Sequence, residues 1–174
     1  MRRIRYSVAA SLDGYIAGPR GESDWIIIDP EINFQEVFGQ FDTILMGRKT
    51  FEQTRNAGGG ASGMPGMKLV VVSTTLRQRD YPDLTLIGDD LEHALTHLCE
   101  QPGKDIWLFG GGSLFRSLLN KRLVDSIEVA VIPVLLGGGV PLLPAPSPKV
   151  KLKLTRHKVY SNTGTLALDY ALQY

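Results

Sequence analysis

Residues Asp105 to Gly112, DIWLFGGG, run straight into SLFRSLLNK, so an apolar strand ends in three glycines and a helix follows without a linker. Gly110, Gly111 and Gly112 let the backbone come close to a bulky anion, because no Cβ stands in the way. The first turn of the helix adds unpaired N–H groups and the positive end of its dipole. Together these make a seat for a phosphate or pyrophosphate, although glycines also make tight turns and the motif alone leaves both readings open. Leu45 to Thr50, LMGRKT, repeats the arrangement with a short strand, Gly47 and a helix start. Arg48 and Lys49 can hold a terminal phosphate there, the guanidinium bidentately. Thr50 can cap the helix or bond a phosphate oxygen, and a solvated basic turn is the alternative. VVVSTT ends a third strand with the hydroxyls of Ser73 and Thr74. In an open α/β sheet, ligands bind beyond the carboxyl ends of strands. Three such ends carrying glycine, cation and hydroxyl suit a dinucleotide with several phosphates.

These corners need a sheet to position them. Ile4, Tyr6, Val8 and Ala10 alternate with Arg3, Arg5, Ser7 and Ala9, the period of a strand. Phe34, Val37, Phe38 and Phe41 fall at i, i+3, i+4, i+7, the face of an amphipathic helix. Thr43 to Met46 and Lys68 to Ser73 read as buried strands, and Thr85 to Ile87 as a short one. Leu91, Ala94, Leu95 and Leu98 mark a helix capped by Asp89 or Asp90, and Leu114, Phe115, Leu118 and Leu119 mark another. Ser126 to Leu135 is a long strand, followed by a loop. The stretches from Val150 to Thr155 and from Thr165 to Gln173 close the chain as strands. Strands and helices alternate over the first two-thirds, which predicts a mostly parallel sheet covered on both faces with antiparallel strands at the C-terminus. Asn56 to Met67, NAGGGASGMPGM, is too glycine-rich to be regular and is expected to be a mobile internal loop.

The chain of 174 residues, 43% hydrophobic and 21% charged, suits one globular domain over 1–174. A net charge of +1 gives no reason to expect nucleic acid or an anionic membrane as partner. Cys99 is the only cysteine, so there is no internal disulfide and no cysteine-based zinc site, and the cytoplasm is the expected compartment. His93 and His97 have zinc-helix spacing but lack the glutamate of HExxH, and both lie away from the leucine stripe. Gly137 to Gly139 precede VPLLPAP rather than a helix, which points to a turn or a subunit contact.

Taken together, Val8-Ala9-Ala10, Asp13 to Ala17, LMGRKTFE, VVVSTT and FGGGSLF stand in the order and spacing of the dihydrofolate-reductase-like fold. SLDGYIAGPRGESDWI and LFGGGSLFRSLLNKRLVDSIEVAVIPVLLGGGVPLL resemble the opening and closing segments of the C-terminal reductase domain of the bifunctional riboflavin-biosynthesis deaminase-reductase. The resemblance spans nearly the whole chain. It implies a three-layer α/β fold and a stand-alone NADPH-dependent reductase acting on a small ring-like or imine-containing substrate, and a homodimer. It implies that Ala10 and Ile16 flank the nicotinamide. Gly47, Arg48, Lys49 and Thr50 would take the pyrophosphate and 2′-phosphate, and Ser73 and Thr74 would lie near the adenosine. Gly110, Gly111, Gly112, Ser113 and Leu114 would wrap the pyrophosphate, with Phe115 near the ribose-nicotinamide.

Dihydrofolate reductases carry an acid on the first helix, about sixteen residues before the glycine that Gly47 matches. That spacing points to Glu31, with Asp29 and Asp13 behind it as proton donors. An acid in a helix first turn also simply complements the dipole. Asn33 to Phe38 lacks the basic residues and histidine that the deaminase-reductase domain holds on this helix for its sugar-phosphate substrate. Trp25, Phe34 and Phe38 suit a flat heterocycle, with ordinary core as the alternative. The expected substrate is a pyrimidine such as 5-amino-6-(5-phosphoribosylamino)uracil or a pterin such as dihydrofolate. A dinucleotide-binding or ligand-sensing dimer without turnover is the competing expectation.

Overall fold

The alternation that begins at Ile4 becomes an interior strand of an eight-stranded sheet in the computed structural model, which describes residues 1–56 and 66–174. In chain order the elements are β1 (Ile4–Ser11), β2 (Tyr15–Ala17), α1 (Phe34–Phe38), β3 (Phe41–Gly47), α2 (Arg48–Asn56), β4 (Lys68–Val72) and β5 (Thr85–Ile87). There follow α3 (Leu91–Glu100), β6 (Asp105–Gly110), α4 (Gly112–Asn120), β7 (Ser126–Ile132), β8 (Val140–Pro141), β9 (Lys151–Tyr160) and β10 (Thr165–Gln173). The sheet order is β5-β4-β3-β6-β1-β7-β10-β9, parallel as far as β7, with β10 antiparallel to both β7 and β9. β2 and β8 form a separate antiparallel pair. The sequence reading of a mostly parallel sheet with an antiparallel tail describes this architecture.

Successive residues of a strand face opposite sides, so the sheet builds two cores. On one side Ile4, Tyr6, Leu45, Ile106 and Leu108 pack under α3 and α4. On the other, Ile44, Met46, Val71 and Trp107 pack under Phe51 of α2 and Phe38 of α1. The layer over this second side is thin. α1 has five residues, none of them buried, and Gly39 caps it. Phe41, expected on the helical stripe, therefore opens β3 instead, 4% exposed and 5.9 Å from the ring of Trp107. Its spacing from Phe34 is coincidental, and strand pairing with β6 overrides it. β7 also stops short of the expected Leu135, since Pro133 has no N–H for the ladder. The glycine-rich loop expected to be mobile falls mostly on residues 57–65, outside the described residues.

α4 is anchored by its own face. Phe115 is 1% exposed and stacks on Tyr6 at 4.1 Å, and Leu118 is fully buried beside it. Burial also pushes the Tyr6 phenol far above its ordinary pKa. Phe115→Ala should leave a cavity under the strand-to-helix corner and lower stability by about 3–5 kcal/mol. Urea denaturation of the two proteins checks this, and a loss below about 1 kcal/mol would show that the corner is held by something else.

Candidate functional site

β3 and β6 are neighbours in the sheet, so the two strand-to-helix corners that end them stand side by side. Gly110, at φ 151°, joins Gly111 through a cis peptide. A Cβ built on Gly111 would stand 3.3 Å from Thr50 Oγ1. The first turns of α2 and α4 thus converge on one place, where their unpaired N–H groups and dipoles add. No side chain caps α4, whose N-cap is Gly111. Lys49 is exposed and forms no ion pair among the described residues. Arg48 is held by Glu52 through two 2.9 Å bonds. Ser73, at the end of β4, uses its hydroxyl to accept from the Thr75 and Leu76 N–H groups, and Thr74 beside it is exposed.

From this corner a cleft of about 350 Å³ runs along the sheet, lined by Gly110, Gly111, Thr50, Ile16, Ala9 and Phe109. A second compartment of about 300 Å³ continues it. The two share Ser7, Val8, Ala9, Ile26 and Trp107. The floor of the second compartment is two rows of side chains in cross-strand register. Ala9, Ala130 and Ala167 form one row, and Ser7, Glu128, Asp169 and Arg156 form the other. Its wall is aromatic. Phe34 stacks on Phe38 at 5.4 Å, and Phe38 on Trp107 at 5.0 Å. Small residues below and flat rings beside leave a slot for a planar ligand.

The structure brings together Ile16, Thr50, Gly110, Gly111, Phe34 and Phe38 as expected. It moves several other residues. Ala10 faces the opposite core, 2% exposed, and Ala9 lines the cleft in its place, since adjacent residues of a strand point opposite ways. The side chains of Leu114 and Phe115 are buried in the core, so only their backbone faces the corner. Gly112 is a packing glycine, because a Cβ there would meet Pro141 O at 2.4 Å. Ser113 is exposed on the first turn of α4, and Gly47 ends β3 below it. Trp25 donates its indole N–H to Glu22 O and lines neither compartment. Trp107 lines both, donates to Ser7 O at 2.8 Å, and was missed by the sequence reading. Its alternation with Phe109 in DIWLFG is the signal that marks it.

Asp13 and Asp29 line neither compartment, and Glu31 lines an adjoining pocket that shares Val37, Arg156, Tyr160, Ala167 and Asp169 with the second one. Asn33 caps α1, so Glu31 precedes the helix rather than opening it. It is exposed, 3.5 Å from Lys158. Asp13 clamps two loops by accepting from Ser11 Oγ and from the Leu136 and Gly137 N–H groups, with the Ser11 bond the main cause of its lowered pKa. This clamp, together with Gly139 lying against Ala17 O, makes Gly137 to Gly139 an intramolecular turn. Asp29 is fully buried and accepts from Glu31 N–H, Thr163 N–H and Thr163 Oγ1 at 2.9, 3.1 and 3.0 Å. Burial alone would raise its pKa, but these donors bring it below the usual carboxylate range.

Several matches to known proteins agree with this geometry. A model of the RibD C-terminal domain matches residues 2–166. The uncharacterised protein YyaP of Bacillus subtilis (strain 168) is 35% identical over 97% of this chain and 94% of its own. The fold is similar to that of a proposed riboflavin biosynthesis protein from Shewanella sp. PV-4, with TM-score 0.81 and 24% identity over the full length of both chains. It is also similar to Enterococcus faecalis dihydrofolate reductase complexed with NADP(H), with TM-score 0.70 and 17% identity over 99% of this chain and 97% of that one. At these identities the two structures speak to the dihydrofolate-reductase-like fold alone. No helix among the described residues is long and apolar enough to cross a membrane.

The lowered pKa of Asp29 carries a pH prediction. Its folded value lies below its unfolded value, so its contribution is complete above the unfolded pKa and is lost as pH falls through the folded one. The part of the melting temperature that Asp29 supports should therefore be lost below about pH 4, and Asp29→Asn should flatten that part of the acid decline. An acid limb unchanged in the variant would show that the clamp adds no stability.

Proposed function

Since the chain belongs to the RibD C-terminal domain family, we propose that it is an NADPH-dependent reductase that passes hydride to a small heterocycle held in the second compartment. Family membership supports the oxidoreductase role. The observation that carries the cofactor assignment is the convergence of two helix N-termini at Thr50 and Gly111, at the head of a cleft that leads to an aromatic slot. When bound, the nicotinamide supplies the hydride. The chain supplies alignment and electrostatics. Gly110, Gly111 and the first-turn N–H groups of α4 receive the pyrophosphate, and Thr50 bonds a phosphate oxygen. Lys49 is placed to take the 2′-phosphate, with Arg48 joining it by leaving Glu52. Ile16 and Ala9 border the nicotinamide side of the cleft, and Phe34, Phe38 and Trp107 offer the substrate ring an aromatic wall to stack on.

Both a pyrimidine of the 5-amino-6-(5-phosphoribosylamino)uracil type and a pterin such as dihydrofolate have rings that suit the slot. The one cation lining it among the described residues, Arg156, is already bonded to Asp169 at 2.6 Å. A phosphate tail would have to compete for it, so the lining favours an unphosphorylated ring. With both substitutions Arg48→Ala and Lys49→Ala in place, NADPH binding should weaken by about tenfold or more while NADH binding changes little. Calorimetric titration of each coenzyme decides this. Equal losses would remove the 2′-phosphate assignment, and no heat with NADPH in the unmodified protein would remove the reductase reading.

We also propose a homodimer. On the side away from the cleft, β9 exposes Leu152, Leu154 and Val159 at 43%, 47% and 59%, in register with Leu172, Tyr170 and Leu166 of β10. An exposed sheet face this rich in apolar side chains, with His157 opposite Leu168 between them, suits a contact surface, and a second copy meeting it about a two-fold axis would match apolar side chain to apolar side chain. Light scattering should give twice the chain mass, falling to the chain mass in Leu154→Glu. A monomer in the unmodified protein would end the proposal.

A further inference from the structure

With the expected acids outside the two compartments, the polar side chains that line the second one come from the sheet itself. Glu128 stands on β7 in the row Ser7, Glu128, Asp169, Arg156, one row below the alanines. Its side chain is 15% exposed. Oε1 accepts from Arg5 Nε at 2.6 Å and from Ser126 Oγ at 3.1 Å, while Oε2 has no partner among the described residues. Arg5 is itself fixed by Gln40 at 2.9 Å and Asp105 at 3.2 Å, over the ring of Phe41. The carboxylate is thus held from behind on one oxygen and leaves the other for a ligand in the cleft.

The spacing of the rows says what that ligand meets. Two residues along a strand on one face span roughly 7 Å, so a planar ring lying over Ala9, Ala130 and Ala167 extends its edge to the carboxylate row. A carboxylate only accepts hydrogen bonds. A carbonyl oxygen set against Glu128 Oε2 would leave acceptor facing acceptor, which is unfavourable. An edge bearing amino or amidine hydrogens forms charge-assisted bonds instead.

We propose that Glu128 is the specificity-determining residue of the substrate compartment, selecting heterocycles that present amino or amidine hydrogens, rather than carbonyl oxygens, to its Oε2. The inference rests on the reductase reading, in which this compartment holds the substrate. Asp169 stands opposite Glu128 but is already bonded to Arg156, so the selection falls to Glu128.

The test uses the full chain saturated with NADPH and titrated with 2,4-diaminopteridine or 2,4-dioxopteridine, followed by pteridine fluorescence. The unmodified protein should prefer the diamino ring by about tenfold or more. Glu128→Gln, whose carbonyl still accepts from Arg5, should lose that preference while keeping its NADPH affinity. Glu128→Asp keeps the charge but withdraws it by one methylene, and should reduce the preference; it serves alone if the glutamine variant fails to hold NADPH. Equal preference in the variants, or none in the unmodified protein while NADPH binds, overturns the role of Glu128 and leaves the reductase reading standing. Failure of the unmodified protein to bind NADPH overturns both.

Discussion

The contact between Gly111 and Thr50 is the constraint on which the rest of the site depends. It brings two helix N-termini within reach of one ligand, and it follows from the adjacency of β3 and β6, with the glycine sparing the corner a Cβ that would crowd Thr50 Oγ1 at 3.3 Å. The right-handed crossovers of a parallel sheet make the adjacency possible, because they return every strand with its carboxyl end on the same side.

The cleft below that corner follows from what the sheet leaves out. A longer first helix or larger side chains at Ala9, Ala130 and Ala167 would fill the space with core. Instead α1 ends after one turn and a half, and the three alanines stand in register. Trp107 closes one side and ties its indole to β1 through Ser7. The same shortness that ends the helical stripe at Phe38 therefore opens the slot beside it.

Charge is distributed by the same economy of space. Asp13 and Asp29 are used to fix loops, each with several donors. Arg2 is buried against Asp42 and Thr43, and Arg3 is bonded to Asp105 at 2.6 Å, so the basic N-terminus is structural. Lys49 remains exposed at the corner, and Glu128 keeps an oxygen without a partner among the described residues.

The sequence by itself determined the elements and the corners. Local rules produce them: period-two alternation makes β1 and β10, the leucine stripes make α3 and α4, and glycine before a helix makes the corners at Gly47 and Gly110. The family resemblance was legible for the same reason, since it rests on the order of those local motifs. Which side chains meet in the cleft was decided only by the tertiary structure. Ala9 rather than Ala10, Trp107 rather than Trp25, and Glu128 rather than Glu31 follow from pleat parity, sheet order and cross-strand register. Those are relations between segments far apart in the chain, and a one-residue change in any of them turns a side chain from the ligand to the opposite core.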